Sequence, residues 1–341
     1  MNIVLDAFGG DNAPLEIIKG AIDAHKGLSV DITLVGMEDK IKKCAEDNSL
    51  DISGLKIRHA PDVIEICDDA MTIRSSKSES SMAVGLKMVA AGEGDAFVSA
   101  GSTAALVVGA TLIVKRIKGI KRAALATVLP TEAEPFMLLD SGANADCKPE
   151  MLLQFGIMGS AYMNKVMKFN EPTVGLANIG SEESKGRELE LASYKLLQEA
   201  PINFIGNVEA RELPRGNCRV VVADGFTGNM LLKLYEGMGK FIGSEMKKLL
   251  TSSLLSKIGA LFLMKNVKAF RKRMDYKEYG GAPLLGAGKP VIKAHGSSDA
   301  KAIYNAVRQA KEFTEGNVIS EVTKALEIIK EKQAAAAAAA E

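Results

Sequence analysis

Short apolar runs alternate along this chain with longer segments in which apolar residues recur at helical spacing. The short runs are rich in β-branched residues and nearly free of charge, which is typical of parallel strands buried on both faces. Strands that alternate with helices predict βαβ units, so we assign the chain to the α/β class with a mostly parallel sheet. The predicted strands are 3–5, 32–35, 96–98, 123–128, 137–139, 173–176, 204–205 and 220–222, and the predicted helices include 14–25, 38–48, 80–92, 102–115, 150–168 and 185–199.

The composition is that of an ordinary globular chain of 341 residues. Hydrophobic residues make up 47% and charged residues 25%, which excludes wholesale disorder. Lys and Arg number 43 against 42 Asp and Glu, and this balance argues against a dedicated nucleic-acid-binding protein. Four widely spaced cysteines without a CxxC pair predict reduced thiols in a cytosolic protein rather than a disulfide framework or a zinc site.

Residues 1–330 contain no linker rich in Pro, Gly or Ser, so we predict one α/β domain, with two lobes as an alternative organisation. Residues 331–341 include an alanine run and form a low-complexity tail. The first residues lack the basic and apolar regions of a signal peptide, and no apolar run reaches the ~18 residues that span a bilayer. Any contact with a membrane is therefore expected at its surface.

Five predicted strands end in turns made largely of Gly, Ser, Asn and Asp, at residues 6–11, 99–103, 140–144, 178–181 and 224–229. In open α/β sheets, ligands bind beyond the carboxyl ends of the strands, so these turns are expected to meet at one cleft. Each turn alone has a simpler explanation, because Gly and Asn are common turn formers. Their repetition at strand ends favours a ligand site.

The turn at 99–103 combines small side chains with two hydroxyl groups at the start of a predicted helix. Unpaired N–H groups and the helix dipole favour an anion there, whereas the alternative is a helix cap without a ligand. Neither GxGxxG nor GxxxxGK[ST] occurs in the chain, so a phosphate group is favoured over a dinucleotide or a P-loop nucleotide. The predicted phosphate-binding residues are Gly9, Gly10, Ser99, Gly101, Ser102 and Thr103.

Three polar residues near other predicted helix starts are candidates for catalysis. Lys185 lies where a cation is unfavourable for the helix dipole, so charge stabilisation of a phosphate or an oxyanion would explain its position. Asn229 follows an apolar strand and can donate its amide to a carbonyl oxygen. His295 precedes a helix predicted at 299–315 and can act as an acid, a base or an anion ligand. Solvated, capping or structural roles are the alternatives.

Nucleophilic and metal catalysis have little support in the sequence. No cysteine stands in a motif with a nearby histidine, GxSxG is absent, and the three histidines lack the spacing of metal ligands. These features favour a reaction in which the nucleophile is itself a substrate, and we expect neither a metal nor a cofactor.

Segment 240–273 is basic and amphipathic, with Glu245 as its only acid. Such a helical segment is typical of membrane-surface or partner-helix binding, with a core-facing helical hairpin as the alternative. Four consecutive apolar residues, 261–264, cover more than one helix face, so we predict an exposed apolar tip rimmed by positive charge. This tip would suit an acidic carrier protein, an anionic lipid surface or both. The predicted contacts are Lys257, Leu261, Phe262, Leu263, Lys265, Lys268 and Arg271.

Seven motifs, in order from residue 1 to about 330, resemble those of the bacterial phosphate acyltransferases. This family converts acyl-acyl carrier protein and inorganic phosphate to acyl phosphate for phospholipid (phosphatidic acid) synthesis. The matching motifs are Asp6–Pro14, Ser99–Ala105, Leu139–Asn144, Asn178–Gly186, Gly206–Arg211, Ala223–Asn229, and Gly280–Gly286 with His295–Ser298.

The resemblance implies a three-layer α/β/α fold similar to phosphotransacetylases and isocitrate-type dehydrogenases. It implies a cytoplasmic homodimer that associates peripherally with the inner face of the cell membrane, with a glycerol-3-phosphate acyltransferase as the downstream user of its product. Lys185 and Asn229 fall on positions that the family uses for catalysis. The expected reaction is direct attack of phosphate on the thioester, in which Lys185 and Asn229 stabilise the oxyanion and His295 binds phosphate or protonates the thiolate.

Two alternatives stay open at this point. One is a different enzyme of the same architecture, such as a transferase that uses coenzyme A thioesters, or a dehydrogenase. The other is a non-catalytic membrane adaptor that scaffolds lipid enzymes through segment 240–273.

Overall fold

One eleven-stranded sheet forms the centre of the described structure, and all eight predicted strands belong to it. The computed structural model describes the backbone of residues 1–274 and 280–340 and the side chains of residues 1–270 and 280–332. The strands are β1 (Asn2–Asp6), β2 (Asp31–Gly36), β3 (Lys56–His59), β4 (Ala96–Ser99), β5 (Ala124–Leu129), β6 (Phe136–Leu139), β7 (Thr173–Asn178), β8 (Asn203–Glu209), β9 (Val220–Val222), β10 (Ala282–Leu285) and β11 (Val291–Lys293).

The strand order is β3-β2-β1-β4-β11-β10-β5-β6-β9-β7-β8. Antiparallel pairing is confined to the middle of the sheet, where β10 pairs with β11 and β5, and β5 pairs with β6. The other strand pairs are parallel. The predicted α/β class with a mostly parallel sheet is therefore confirmed.

The predicted helices are also present, with ends shifted by a few residues. The helix predicted at 102–115 is α4, which continues directly into a π-helical turn at Ala110–Val114. The helices are α1 (Leu15–Leu28), α2 (Glu38–Asp47), α3 (Ser81–Ala91), α4 (Thr103–Gly109), α5 (Pro149–Lys165), α6 (Glu188–Glu199), α7 (Gly225–Thr251), α8 (Leu254–Met274), α9 (Ala300–Glu315) and α10 (Val318–Ala340).

Helices cover both faces of the sheet. Along β1, Ile3 and Leu5 pack into a core that includes residues of α1, α5 and α9, whereas Val4 packs with residues of α3 and α4. Successive side chains of a strand point to opposite faces, so both faces of β1 are apolar and buried. The sheet is thus the middle layer of an α/β/α arrangement. The division of the chain into domains stays a prediction.

Three strands were not predicted, and each has a local reason. β3 is a short edge strand with charged and largely exposed residues, as edge strands often have. β10 contains Pro283, which normally argues against a central strand, and β11 has only three residues. The two short strands lie side by side between β4 and β5.

Segment 240–273 is helical, as predicted, and is divided between two helices. It covers the end of α7 and most of α8, which pack around a cavity of about 250 Å³ lined by residues such as Leu250, Ala260 and Met264. In α8 the exposed apolar residues begin at Leu254 in the first turn, so they run along the helix instead of marking only its tip, and Phe241, Ile242 and Leu249 at the end of α7 are exposed as well. Within the described residues, no helix combines the length and apolar character needed to cross a bilayer.

The start of α7 packs its backbone directly on the turn that follows β6. A Cβ atom added at Gly228 would lie 1.9 Å from the carbonyl oxygen of Asp140, and one at Gly225 would lie 2.4 Å from that of Asn144. The Gly225 N–H donates a hydrogen bond to the same Asn144 oxygen at 2.7 Å. Only glycine allows this approach, which fixes where α7 begins.

We expect Gly228→Ala to lower the free energy of unfolding by about 1–3 kcal/mol, the usual cost of overpacking. The matched control is Gly237→Ala in the same helix, where an added Cβ meets no atom within 4 Å. This control should be neutral or stabilising by up to about 1 kcal/mol, because alanine favours helix more than glycine. Urea denaturation measures both variants, and equal stability of the two would contradict the close packing.

Candidate active site

The turns after β1 and β4, two of the five predicted to converge, meet the turn after β11 at the carboxyl edge of the sheet. The Asp11 N–H donates to the carbonyl oxygen of Gly296 at 2.8 Å, and the Ala294 N–H donates to that of Ser99 at 2.9 Å. Asn12 also donates its side-chain amide to the carbonyl oxygen of Ser298 at 3.2 Å. These hydrogen bonds therefore hold the predicted turns at 6–11 and 99–103 against the segment that carries His295.

A cavity of about 330 Å³ opens at this edge. Its lining includes Thr103, Asn229 and His295, three of the residues predicted from sequence to bind phosphate or act in catalysis. Ser141 and Lys293 line it as well. Hydroxyl, amide, imidazole and ammonium groups thus face one enclosed volume, beside apolar side chains such as Leu125 and Leu232.

Asn229 reaches this cavity from the first turns of α7, and Asp224 caps the start of this helix. The Asp224 side chain accepts hydrogen bonds from the Thr227 N–H at 2.7 Å and from the Thr227 hydroxyl at 3.1 Å. A Cβ added at Gly142 would lie 3.4 Å from the Asn229 side chain, and Gly142 has a φ of 137° that favours glycine. The turn after β6 therefore leaves room for Asn229.

His295 has a defined ring orientation at the other side of the cavity. The Ser297 N–H donates to His295 Nδ1 at 3.2 Å, and the Ser297 hydroxyl lies 2.9 Å from the same atom. Because Nδ1 accepts this backbone hydrogen bond, the neutral ring carries its proton on Nε2. His295 can therefore present a proton donor.

Most of the predicted phosphate-binding residues build the turns instead of lining the cavity. Ser99 is buried and donates its hydroxyl to Asp6 Oδ2 at 2.7 Å, while the Gly101 N–H donates to the Ser99 oxygen at 3.0 Å. A Cβ at Gly9 would lie 2.6 Å from Gly101 N, and Gly10 has a φ of 100°. Ser102 caps α4 by accepting from the Ala105 N–H at 3.5 Å. Of the six residues, Thr103 lines the cavity, and a phosphate role for the set stays a prediction.

Lys185 is exposed and does not line the cavity in the described structure. Its loop is nevertheless tied to the start of α7, because Arg187 donates to Asp224 Oδ2 at 2.8 Å. Arg187 also pairs with Glu190, where burial opposes ionisation, yet the hydrogen bonds and charge of Arg187 prevail and lower the pKa of that carboxyl. The structure thus connects Lys185 to the helix that carries Asn229 without bringing the two side chains into one pocket.

Lys293 is a cavity residue that the sequence reasoning missed. It is the last residue of β11, and its Nζ donates to the carbonyl oxygens of Ala100, at 3.4 Å, and of Ala294. Desolvation lowers the pKa of Lys293 to about 8, although the charges of Asp6 and Asp11 oppose this shift. The sequence did contain a signal for this cavity residue, namely a lysine that ends an apolar run and is followed by Ala294 and His295.

Two further charged residues, both on α7, line the cavity. Lys233 and Glu236 both face the cavity and pair with each other at 3.1 Å. Since the Lys233 side chain is largely exposed and already paired, it adds little net charge to the cavity.

The sequence of this chain is similar to those of known proteins over nearly its whole length. Residues 1–321 match the family model described as fatty acid synthesis protein. The chain is 48% identical over 329 residues to the phosphate acyltransferase of Thermoanaerobacterium thermosaccharolyticum, covering 96% of this chain and 98% of the relative. It is 45% identical over 328 residues to the phosphate acyltransferase of Clostridium acetobutylicum, covering 96% and 99%.

Solved structures of lower sequence identity share the fold. A phosphotransacetylase from Streptococcus pyogenes superposes with a TM-score of 0.63 at 17% identity, covering 96% of this chain and 94% of the other. A phosphotransacetylase from Staphylococcus aureus gives a TM-score of 0.62 at 17% identity, covering 92% and 94%. The expected likeness to phosphotransacetylase folds is therefore confirmed.

Proposed function

Because this chain belongs to the phosphate acyltransferase family, transferases of fatty acid and phospholipid synthesis, we propose that it transfers a fatty acyl group from acyl-acyl carrier protein to inorganic phosphate. The observation that carries this proposal is the cavity at the carboxyl edge of the sheet. There a hydroxyl, an amide donor, an imidazole and an ammonium group surround a volume that can hold an anion and a carbonyl group.

The reaction is direct substitution at the thioester carbonyl. An oxygen of hydrogen phosphate attacks the carbonyl carbon, and a tetrahedral oxyanion forms. The C–O bond to phosphate is kept, the C–S bond breaks, and the carrier thiolate leaves with the bonding electrons. The proton of the phosphate passes to the thiolate, so the products are acyl phosphate and the free thiol of the carrier. No covalent acyl-enzyme is needed.

The cavity residues have separate tasks in this substitution. Asn229 donates its amide to the oxyanion, and His295 donates a hydrogen bond from Nε2 to the departing sulfur while the phosphate proton passes to that sulfur. Thr103 donates its hydroxyl to the phosphate. A phosphate contact of Gly9, Gly10 and the turn at 99–102 stays a prediction. The oxyanion role of Lys185 stays a prediction, since its side chain is exposed outside this lining.

The product explains the proposed place of the protein in lipid synthesis. An acyl phosphate is a mixed anhydride and therefore an activated acyl donor. A glycerol-3-phosphate acyltransferase is the proposed downstream user, because it would pass the acyl group to a hydroxyl on the route to phosphatidic acid.

We expect the protein to release thiol from acyl-acyl carrier protein in a phosphate-dependent manner, and not from acyl-coenzyme A. A thiol-reactive dye measures the release with both thioesters, with and without inorganic phosphate. A transferase specific for coenzyme A would reverse the preference. A membrane adaptor without catalytic activity would release no thiol from either compound.

In the same assay, Asn229→Ala should lower kcat by about 10²- to 10³-fold, the usual effect of removing one oxyanion donor. Its melting temperature should stay near that of the parent, because Asn229 is exposed. Asn48→Ala, at the end of α2 and remote from this edge, is the matched control and should retain parental turnover.

Lys185→Ala tests the other predicted donor: a parental kcat would remove Lys185 from the mechanism and leave Asn229 in place.

The protein is further proposed to contact the inner surface of the cell membrane through α8. Leu261, Phe262 and Leu263 are 69%, 85% and 49% exposed, on a helix with exposed Lys257, Lys265 and Lys268. Apolar side chains rimmed by lysines suit an anionic lipid surface. Arg271 belongs to the same predicted contact, but its side chain lies outside the described residues.

A variant with both Leu261→Glu and Leu263→Glu should lose binding to vesicles that contain anionic lipid, because two charges replace apolar contacts. Vesicle flotation measures the bound fraction. The control replaces two exposed apolar residues elsewhere, Ile66→Glu with Met71→Glu, and should bind as the parent does. Parental binding by the α8 variant would disprove the membrane contact.

A homodimer is proposed on the basis of an apolar stripe along α7. Phe226, Met230, Leu234, Met238 and Phe241 recur at helical spacing and are between 46% and 64% exposed. A continuous apolar stripe of this kind is unusual on a monomer, and a twofold axis can pair it with its copy.

The variant Met230→Glu with Leu234→Glu should therefore be monomeric, because charges would face each other across the paired stripes. Light scattering coupled to size exclusion gives the mass, and the 36.2 kDa chain sets the monomer value. The Ile66→Glu, Met71→Glu protein should remain dimeric. A monomeric parent, or a dimeric α7 variant, would contradict the assignment of this surface.

A further inference from the structure

Lys293 is a half-buried lysine in the lining of the cavity. Its strand, β11, is in the middle of the sheet between β4 and β10, and Lys293 is in register with Ser99 of β4. Its side chain extends from the carboxyl end of β11, and the ammonium group donates to the carbonyl oxygens of Ala100 and Ala294. It shares the cavity lining with Thr103, Asn229 and His295.

The ammonium group of Lys293 has carbonyl partners but no ion pair with a carboxylate among the described residues. Asp6 and Asp11 are the nearby acids that favour its charged form. Asp6 is a weak counter-charge, because burial raises its own pKa and its Oδ2 already accepts the Ser99 hydroxyl. A desolvated cation without a direct counter-charge is unfavourable, so an anion in the cavity would relieve this cost.

The other charged or ionisable groups that line the same cavity are less suited than Lys293 to bind an anion. Lys233 is paired with Glu236 on α7 and is 61% exposed, so its charge is offset and screened. His295 accepts from Ser297 at Nδ1, and its Nε2 is assigned to the departing sulfur in the proposed reaction. A lysine has three N–H donors, and two of those of Lys293 go to backbone carbonyls, which leaves a third for a ligand oxygen.

We infer that Lys293 is the cation that binds the attacking phosphate, with the Thr103 hydroxyl as a second donor. This inference rests on the proposed function and names the residue that recognises its anionic substrate. The backbone contacts to Ala100 and Ala294 keep the ammonium group at the junction of the β4 and β11 turns. Phosphate held there would lie in the same cavity as Asn229, the proposed oxyanion donor.

A pH dependence of phosphate binding follows from the lowered pKa of Lys293. The ammonium form prevails below about pH 8 and the neutral amine above it. Phosphate affinity should therefore be highest below pH 8 and fall as the pH rises through that value. Bound phosphate supplies a counter-charge, so binding in turn raises the pKa of Lys293 and shifts this fall to higher pH.

The test measures inorganic phosphate binding by calorimetry at pH 7 and pH 9.5, without an acyl donor, and the KM for phosphate in the thiol-release assay. Lys293→Met should weaken phosphate binding and raise this KM by about 10- to 100-fold, the usual range for a lost charged hydrogen bond. The KM for acyl-acyl carrier protein should change by less than about twofold. Lys289→Met, two residues before the start of β11, removes the same charge outside the cavity and should match the parent.

Lys293→Arg provides a second test that does not depend on the methionine variant folding. Arginine stays charged at both pH values, so this variant should bind phosphate at least as well at pH 9.5 as at pH 7, whereas the parent weakens. A parental pH dependence in Lys293→Arg, or parental phosphate affinity in folded Lys293→Met, would overturn the assignment. If phosphate binding depends on Lys293 but the parent releases no thiol, the proposed reaction fails and the phosphate site stands.

Discussion

The site depends on two buried carboxylates that hold the turns at the carboxyl ends of the strands. Asp140 is fully buried and accepts hydrogen bonds from the backbone N–H groups of Leu125, Gly142, Ala143 and Asn144, and from the Asn144 amide. Asp6 accepts from the Ser99 hydroxyl and the Phe8 N–H. Burial raises the pKa of both carboxyls, and the hydrogen bonds oppose that effect. Burying a carboxylate is costly unless its oxygens accept hydrogen bonds. Asp6 and Asp140 therefore each strongly favour the one turn conformation that supplies these donors.

These turns determine the positions of the residues proposed to form the site. The turn held by Asp140 presents its backbone to Gly225 and Gly228, and this contact fixes the start of α7 and hence Asn229. The turn held by Asp6 orders Ser99 and Gly101, next to the Ala100 carbonyl that Lys293 contacts. A reaction between two bound substrates requires position more than a reactive side chain. A rigid edge built from buried hydrogen bonds supplies such positions.

The sequence pattern predicted the parts of this structure that follow from local periodicity. Strands such as Val220–Val222 and helices such as α9 were predicted because burial imposes an apolar run or an amphipathic period. Asn229 was predicted because polar residues at strand ends point to a cleft, and His295 because an ionisable residue precedes a predicted helix; both line the cavity. Lys293 was missed, since its short strand is recognised only from pairing with β4 and β10, which are distant in sequence. The turn-building role of Ser99 was missed for a similar reason, because its partner Asp6 lies 93 residues away.

On the proposed function, α7 links the chemistry to the surface where the product is used. The helix begins at the cavity with Asn229, carries the exposed apolar stripe from Phe226 to Phe241, and leads into α8 with its exposed leucines. At about 1.5 Å per residue, its 27 residues span about 40 Å. An acyl phosphate has a charged head that water solvates and a chain that water excludes, so it is best released near an apolar surface. One continuous helix thus connects the cavity to the exposed apolar side chains of α8.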